Sequence, residues 1–74
     1  MWKQGSIKVG RSTIIYWVKS FEEGSQFGID NGRISKLMLK RDGRVIANFD
    51  RGWDIVPIDL EAEAALAELM KKFN

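Results

Sequence analysis

Apolar and polar positions alternate through most of the first fifty residues and then change to a helical spacing. Residues 2–9 (WKQGSIKV) and 12–20 (STIIYWVKS) are rich in β-branched and aromatic side chains, and the Gly10-Arg11 pair between them suits a tight hairpin. In the second run Ile14, Tyr16 and Val18 share one face of a strand, while Thr13, Ile15, Trp17 and Lys19 share the other. Both faces carry apolar groups, which predicts a central strand. Residues 33–41 (RISKLMLKR) alternate again, with Ser35, Leu37 and Leu39 on one side and Ile34, Lys36, Met38 and Lys40 on the other. Asp42-Gly43 is a two-residue hairpin signal. A fourth strand follows over 44–50 (RVIANFD), with Val45, Ala47 and Phe49 placed to meet the leucine face.

The remaining apolar residues recur at three and four positions. Ala62, Leu66, Leu69, Met70 and Phe73 form one stripe of a helix over about 60–73. Asp59 is placed to cap its start, Glu61 and Glu63 suit the positive end of the helix dipole, and Lys71 and Lys72 suit the negative end. The third helical position is Ala62, so there is no reciprocal capping box. One apolar stripe needs one sheet to lie on. The pattern therefore predicts an α+β fold, a four-stranded antiparallel β-meander with one C-terminal α-helix packed on one face, as a single small domain over 1–74. Between the second and third strands, residues 21–32 (FEEGSQFGIDNG) contain three glycines and an Asp-Asn pair, which is loop chemistry.

Composition narrows the chemistry more than it identifies it. The chain has 74 residues, enough for one modest core, and its 45% hydrophobic and 30% charged content is that of a folding chain. No cysteine is present to staple it, so packing or homo-oligomerisation must supply the stability. A cytoplasmic location and no membrane role are expected, because the apolar runs fall far short of the roughly 20 residues a spanning helix needs and no secretory signal pattern opens the chain. There is also no histidine. The usual general base near neutral pH, the thiolate nucleophile and the common nitrogen and sulfur metal ligands are therefore missing, and neither a catalytic residue, a metal nor a cofactor is expected.

Superficial motifs do not reverse that expectation. Ser25, in GSQFG, follows its glycine directly, unlike the serine of a nucleophile elbow, and reads as a turn serine. An enzyme built on Ser25 with Lys36 or Asp50 would have to work without the usual base. Asp30-Asn31-Gly32 lacks the ligand series of a calcium loop, and the glycines of 24–32 lack the spacing and lysine of a phosphate-binding loop.

Charge is unevenly distributed. Residues 1–53 carry ten Lys/Arg and five Asp/Glu, a balance of +5, whereas 54–74 carry two and five, a balance of −3. Basic and aromatic residues intermingle in the first part: Trp2, Trp17, Arg33, Lys36, Lys40, Arg51 and Trp53 could together offer stacking platforms and phosphate partners, or else the three tryptophans serve as core or oligomer-interface mass. The stretch 48–54 (NFDRGWD) is the densest such cluster. It lies where the fourth strand ends and the chain turns toward the helix, so Gly52 is expected to permit the turn and Trp53 to cover the end of the core. Arg51 then either locks the corner by forking onto a carboxylate or loop carbonyls, or projects with Trp53 beside the 21–32 loop to recognise a carboxylate, a phosphate or a partner's acidic edge.

Two blocks carry a family resemblance: Ser25-Gln26-Phe27-Gly28-Ile29 through Gly32-Arg33-Ile34-Ser35-Lys36-Leu37, and Phe49-Asp50-Arg51-Gly52-Trp53-Asp54. Together they resemble a family of short uncharacterised phage and prophage proteins with the pattern S-x-[FY]-G-I-x-x-G-R-I-S-K-L followed by [YF]-D-R-G-W-D. The resemblance runs from residue 2 to about residue 60 and departs at Phe49, where the family more often has tyrosine. It implies a small accessory protein of a mobile element and no assigned activity; binding and blocking is expected by analogy with other small phage proteins of this size. On this reading Ser25, Arg33, Lys36, Asp50, Arg51 and Trp53 form the binding surface for a host protein or a small anionic ligand. The alternative is a nucleic-acid-binding module that uses the basic face of the sheet.

Overall fold

The computed structural model describes residues 2–74. β1 (Trp2–Val9), β2 (Ser12–Ser20), β3 (Ile34–Arg41), β4 (Arg44–Asp50) and β5 (Trp53–Ile55) form one antiparallel meander, each strand bonded to its sequence neighbour, and α1 (Leu60–Phe73) follows. The fold is α+β, with five strands where the hydrophobic pattern predicts four. β5 is only three residues long, too short for a period of two to register, and Gly52 just before it reads as the start of a connection to the helix.

Strand pairing sorts the side chains onto two faces. Ile14, Tyr16 and Val18 lie beside Leu39 and Leu37, which lie beside Ala47 and Phe49, and all of these form one buried core with Ala62, Ala65 and Leu69 of α1. The register slips by one residue in two places, and each slip changes a face. Between β2 and β3, Lys19 pairs with Lys36 but Ser20 pairs with Ile34, leaving Ser35 as the extra residue. Ile34, expected on the far side from the leucines, is thereby carried into the core and is fully buried. Between β3 and β4, Leu39 pairs with Ala47 but Lys40 pairs with Val45. Ile46 becomes the extra residue and is fully buried, while Val45, expected to meet the leucine face, moves to the other side. A bulge of this kind re-aims every side chain beyond it, because parity in a strand is strict.

The helix is seated by small residues and fastened at both ends. Ala62 and Ala65 are fully buried beside Leu69, so the helix backbone can approach the sheet closely, and Leu66, Met70 and Phe73 pack around them. At its start Asp59 accepts a hydrogen bond from the Ala62 N–H at 2.9 Å, satisfying a free donor of the first turn. The Arg41 guanidinium donates to both oxygens of Asp59, at 2.8 and 3.3 Å, and to Glu61 at 3.0 Å. The Ser12 hydroxyl donates to the same Glu61 oxygen at 2.8 Å, so the end of β3 and the start of β2 are both tied to the helix N-terminus. The Asp59 carboxyl is held below its ordinary value near 3.8, first by the Arg41 hydrogen bond and then by the Ala62 N–H. At the other end the Asn74 side chain accepts from the Ile34 N–H at 2.9 Å and donates to the Ile29 carbonyl at 3.1 Å. Gly32 lies against that amide with no room for a methyl group.

The 48–54 stretch is a hairpin between β4 and β5 rather than a corner leading to the helix. Arg51, not Gly52, takes the left-handed conformation, with φ of 60°. The Asp50 N–H donates to the Gly52 carbonyl at 2.8 Å and the Arg51 N–H to the Ser35 carbonyl at 3.1 Å. A methyl group added to Gly52 would meet nothing within 4 Å. Gly5 is the opposite case: a Cβ there would lie 2.6 Å from the Tyr16 hydroxyl and 2.8 Å from its ring, which passes over the glycine to reach Phe73.

Two outcomes follow for stability, both measured by thermal and denaturant unfolding. Gly52→Ala is neutral or stabilising by up to about 1 kcal/mol, whereas Gly5→Ala costs about 1–3 kcal/mol because a rigid ring must move. Because folding lowers the Asp59 pKa, the Arg41–Asp59 contact stabilises the fold above the ordinary carboxylate value and is lost as pH falls below it toward the folded-state value. Asp59→Ala should lower the midpoint at neutral pH. Asp59→Asn should keep the cap and flatten the acid limb of the stability curve, and an unchanged acid limb in that variant would remove Asp59 from the account.

Candidate functional site

With α1 on one side of the sheet, no other element among the described residues packs on the opposite face. The pairing registers lay its side chains out in rows that cross the strands. One row runs Trp2, Lys19, Lys36, Asp50; the next runs Gln4, Trp17, Met38, Asn48, Ile55; a third runs Ser6, Ile15, Lys40, Val45. These residues face outward because Ile14, Tyr16, Val18, Leu37 and Leu39, which alternate with them, are drawn under the helix.

Large apolar groups stay in solvent on this face. Trp2 is 55% exposed and Ile15 42%, and Trp17 and Met38 are half-buried. Trp2, Trp17, Lys36, Met38, Asn48 and Asp50 line a shallow open depression of about 500 Å³. Lysine ammonium groups lie over the rings: Lys19 is 6.0 Å from the Trp2 ring centre and 5.6 Å from that of Phe21, and Lys40 is 5.8 Å from that of Trp17. Lys19 and Lys36 are directly opposite one another across β2 and β3, a like-charge pair that destabilises a ladder. Asp50 offsets part of this through Lys36, at 3.6 Å with both side chains well solvated, an ion pair of the weak surface type.

The six residues singled out from the sequence are not brought into one patch. Lys36 and Asp50 form the cross-strand pair on the helix-free face. Trp53 pairs with Phe49 and therefore points to the helix side, where its ring meets that of Phe49 edge-on at 5.1 Å. It is 37% exposed and lines a groove with Val56, Pro57, Leu66 and Met70. Arg51 sits at the hairpin tip with its guanidinium 5.7 Å from the Phe27 ring centre. Arg33 is exposed just ahead of β3, and its carbonyl accepts from the Phe21 N–H at 3.0 Å. The Ser25 hydroxyl accepts from the Phe27 N–H at 3.1 Å, the geometry of a local serine turn. The pleat separates Lys36 and Asp50 from Trp53 even though all three are close along the sheet.

The residue that motif reasoning passed over is Lys19, and its signal is the alternation of β2, which already sets Thr13, Ile15, Trp17 and Lys19 on one face. Arg41 and Asn74, which hold the helix in place, carry no local signal because each acts on residues at least 18 positions away. Among the described residues no group of three or more His, Cys, Asp or Glu is placed to hold a metal ion, and no helix is long and apolar enough to cross a membrane.

No curated protein and no solved structure matches the chain significantly. Residues 1–74 match the family described as Domain of unknown function (DUF7678), in keeping with the resemblance to an uncharacterised family, and the chain belongs to that family.

Proposed function

We propose that this domain is a small non-enzymatic binding module that holds an anionic partner on the helix-free face of its sheet. The observation that carries the reading is the row Trp2, Lys19, Lys36, where two lysines oppose each other beside a solvent-exposed tryptophan. A fold that leaves like charges adjacent on a ladder forgoes stability there, and an incoming anion recovers it. The lysine stems and the rings of Trp2 and Trp17 supply apolar contact around the charge, an arrangement common at binding surfaces. With no histidine or cysteine in the chain, nothing in this surface offers the usual proton-transfer or nucleophilic chemistry.

In this proposal the domain is a cytoplasmic accessory protein of a phage or prophage-like element and acts by occupying its partner. Val56, Ile58 and Leu60, exposed at 61%, 48% and 82% in the segment from the end of the short edge strand β5 to the first residue of α1, support self-association as a second property. The β4–β5 corner has a structural role, holding the sheet edge through Ser35 and Phe27.

Tryptophan fluorescence titrated at low salt with heparin, polyphosphate and a short oligonucleotide tests the reading. The expected result is a saturable change with at least one of these polyanions. Lys19→Glu and Lys40→Glu should each weaken it about tenfold, the scale of losing a charge-assisted contact. Arg33→Glu and Arg51→Glu should have a much smaller effect. If the two arginine variants lost binding while the lysine variants kept it, the site would be the loop and hairpin corner instead.

A further inference from the structure

We infer that the partner of the helix-free face is a single-stranded nucleic acid, with its bases stacked on Trp2 and Trp17 and a phosphate seated between Lys19 and Lys36. The inference rests on the reading that this face is the binding surface, and it adds the class of ligand.

The geometry selects for flat, charged, flexible ligands. Trp2 pairs with Lys19, and Trp17 lies two residues before Lys19 on the same strand, so the two tryptophans are diagonal neighbours on one face. Such positions are separated by about 7–8 Å, which suits successive bases of an extended strand. Lys19 and Lys36 lie in the row beside Trp17, so a phosphate that follows the first base meets both ammonium groups at once. Today Lys19 and Lys40 rest over aromatic rings. Exposed cation–π contacts are weaker than base–aromatic stacking, so an arriving base takes the ring and frees the lysine for the phosphate.

Other anions use less of this surface. Polyphosphate and acidic peptides satisfy the lysines but offer no π-face to either tryptophan. A duplex keeps its bases stacked inside, and an open sheet face presents no helix or ribbon to enter its groove. Gln4 and Asn48 share the row of Trp17 and are the amides placed to reach base edges. With so few such groups, discrimination among base sequences should be modest, as it is where stacking dominates recognition.

Anisotropy of fluorescein-labelled oligo-dT and oligo-U of about ten nucleotides, a length that spans such a face, measured against a duplex, polyphosphate and poly-glutamate competitors, decides the matter. The single strands should bind, with affinity falling about 25-fold or more for a tenfold rise in salt if two phosphates are contacted. Duplex DNA and poly-glutamate should bind at least about tenfold more weakly than the single strands. Trp17→Leu should lose about tenfold in single-strand affinity, and Trp2→Leu, on the exposed edge strand, gives the same readout if Trp17→Leu unfolds. Normal single-strand binding by both folded tryptophan variants, or equal competition by polyphosphate and poly-glutamate, would overturn the nucleic-acid inference while leaving an anion-binding face. Absence of binding to every polyanion would overturn both.

Discussion

One helix can cover one face of a sheet, and here the helix is held so that it cannot choose the other. Arg41, at the end of β3, forks onto Asp59 and Glu61 at the helix N-terminus. Asn74 grips the backbone of Ile34 and Ile29 at its C-terminus. Each fastening joins residues far apart in sequence, so the helix axis is positioned by contacts at both ends and by the buried Ala62, Ala65 and Leu69 between them. Once that face is closed, the alternation of β2 and β3 leaves Trp17, Lys19, Lys36, Met38 and Lys40 on the other side. The character of the helix-free face is thus a consequence of how the helix is docked.

The glycine-rich connection between β2 and β3 belongs to the same device. Ile29 is buried, its carbonyl receives the Asn74 amide, and Gly32 gives that amide the space to approach. Ser25 and Gly28 close the loop through the Ser25 N–H to the Gly32 carbonyl and the Gly28 N–H to the Ser25 carbonyl, at 3.1 and 3.0 Å. The two blocks that carry the family resemblance therefore have direct structural work to do. One builds the seat for the helix C-terminus, and the other builds the β4–β5 hairpin that anchors to Ser35. The helix-free face takes only Lys36 and Asp50 from these blocks, while Trp2, Trp17, Lys19 and Lys40 come from strand positions outside them. A dense motif and a binding surface need not coincide, because glycine, serine and aspartate are also the residues that tight backbone geometry requires.

The helix-free face combines features that a merely solvated sheet does not need. Solvation alone calls for polar side chains, whereas Trp2 and Ile15 are 55% and 42% exposed. Protection against edge pairing calls for lysines on edge strands, whereas Lys19, Lys36 and Lys40 are on the interior strands β2 and β3. These are the grounds on which the proposed binding role rests, and they hold independently of which anion is bound.

Much of the architecture was legible from local pattern. Alternation marked the longer strands, the Asp42-Gly43 pair marked a hairpin whose two residues both take positive φ, 53° and 76°, and three- and four-residue spacing with Asp59 at its head marked a capped helix. These are properties of a residue and its near neighbours, so the sequence by itself determined them. It did not determine the two one-residue slips, which exchanged Val45 for Ile46 and drew Ile34 inward, because a bulge is set by what both partner strands can bury. Nor did it determine the three-residue β5, whose pairing with β4 makes it a strand, or the left-handed Arg51 where glycine stood next in line. The candidate site was divided in the same way. Its residue types could be read, but membership of one surface could not, since Trp53 and Lys36 differ only in the side of the pleat they occupy. That side is fixed by hydrogen-bond register and by which face the helix covers, and both exist only once the chain has folded.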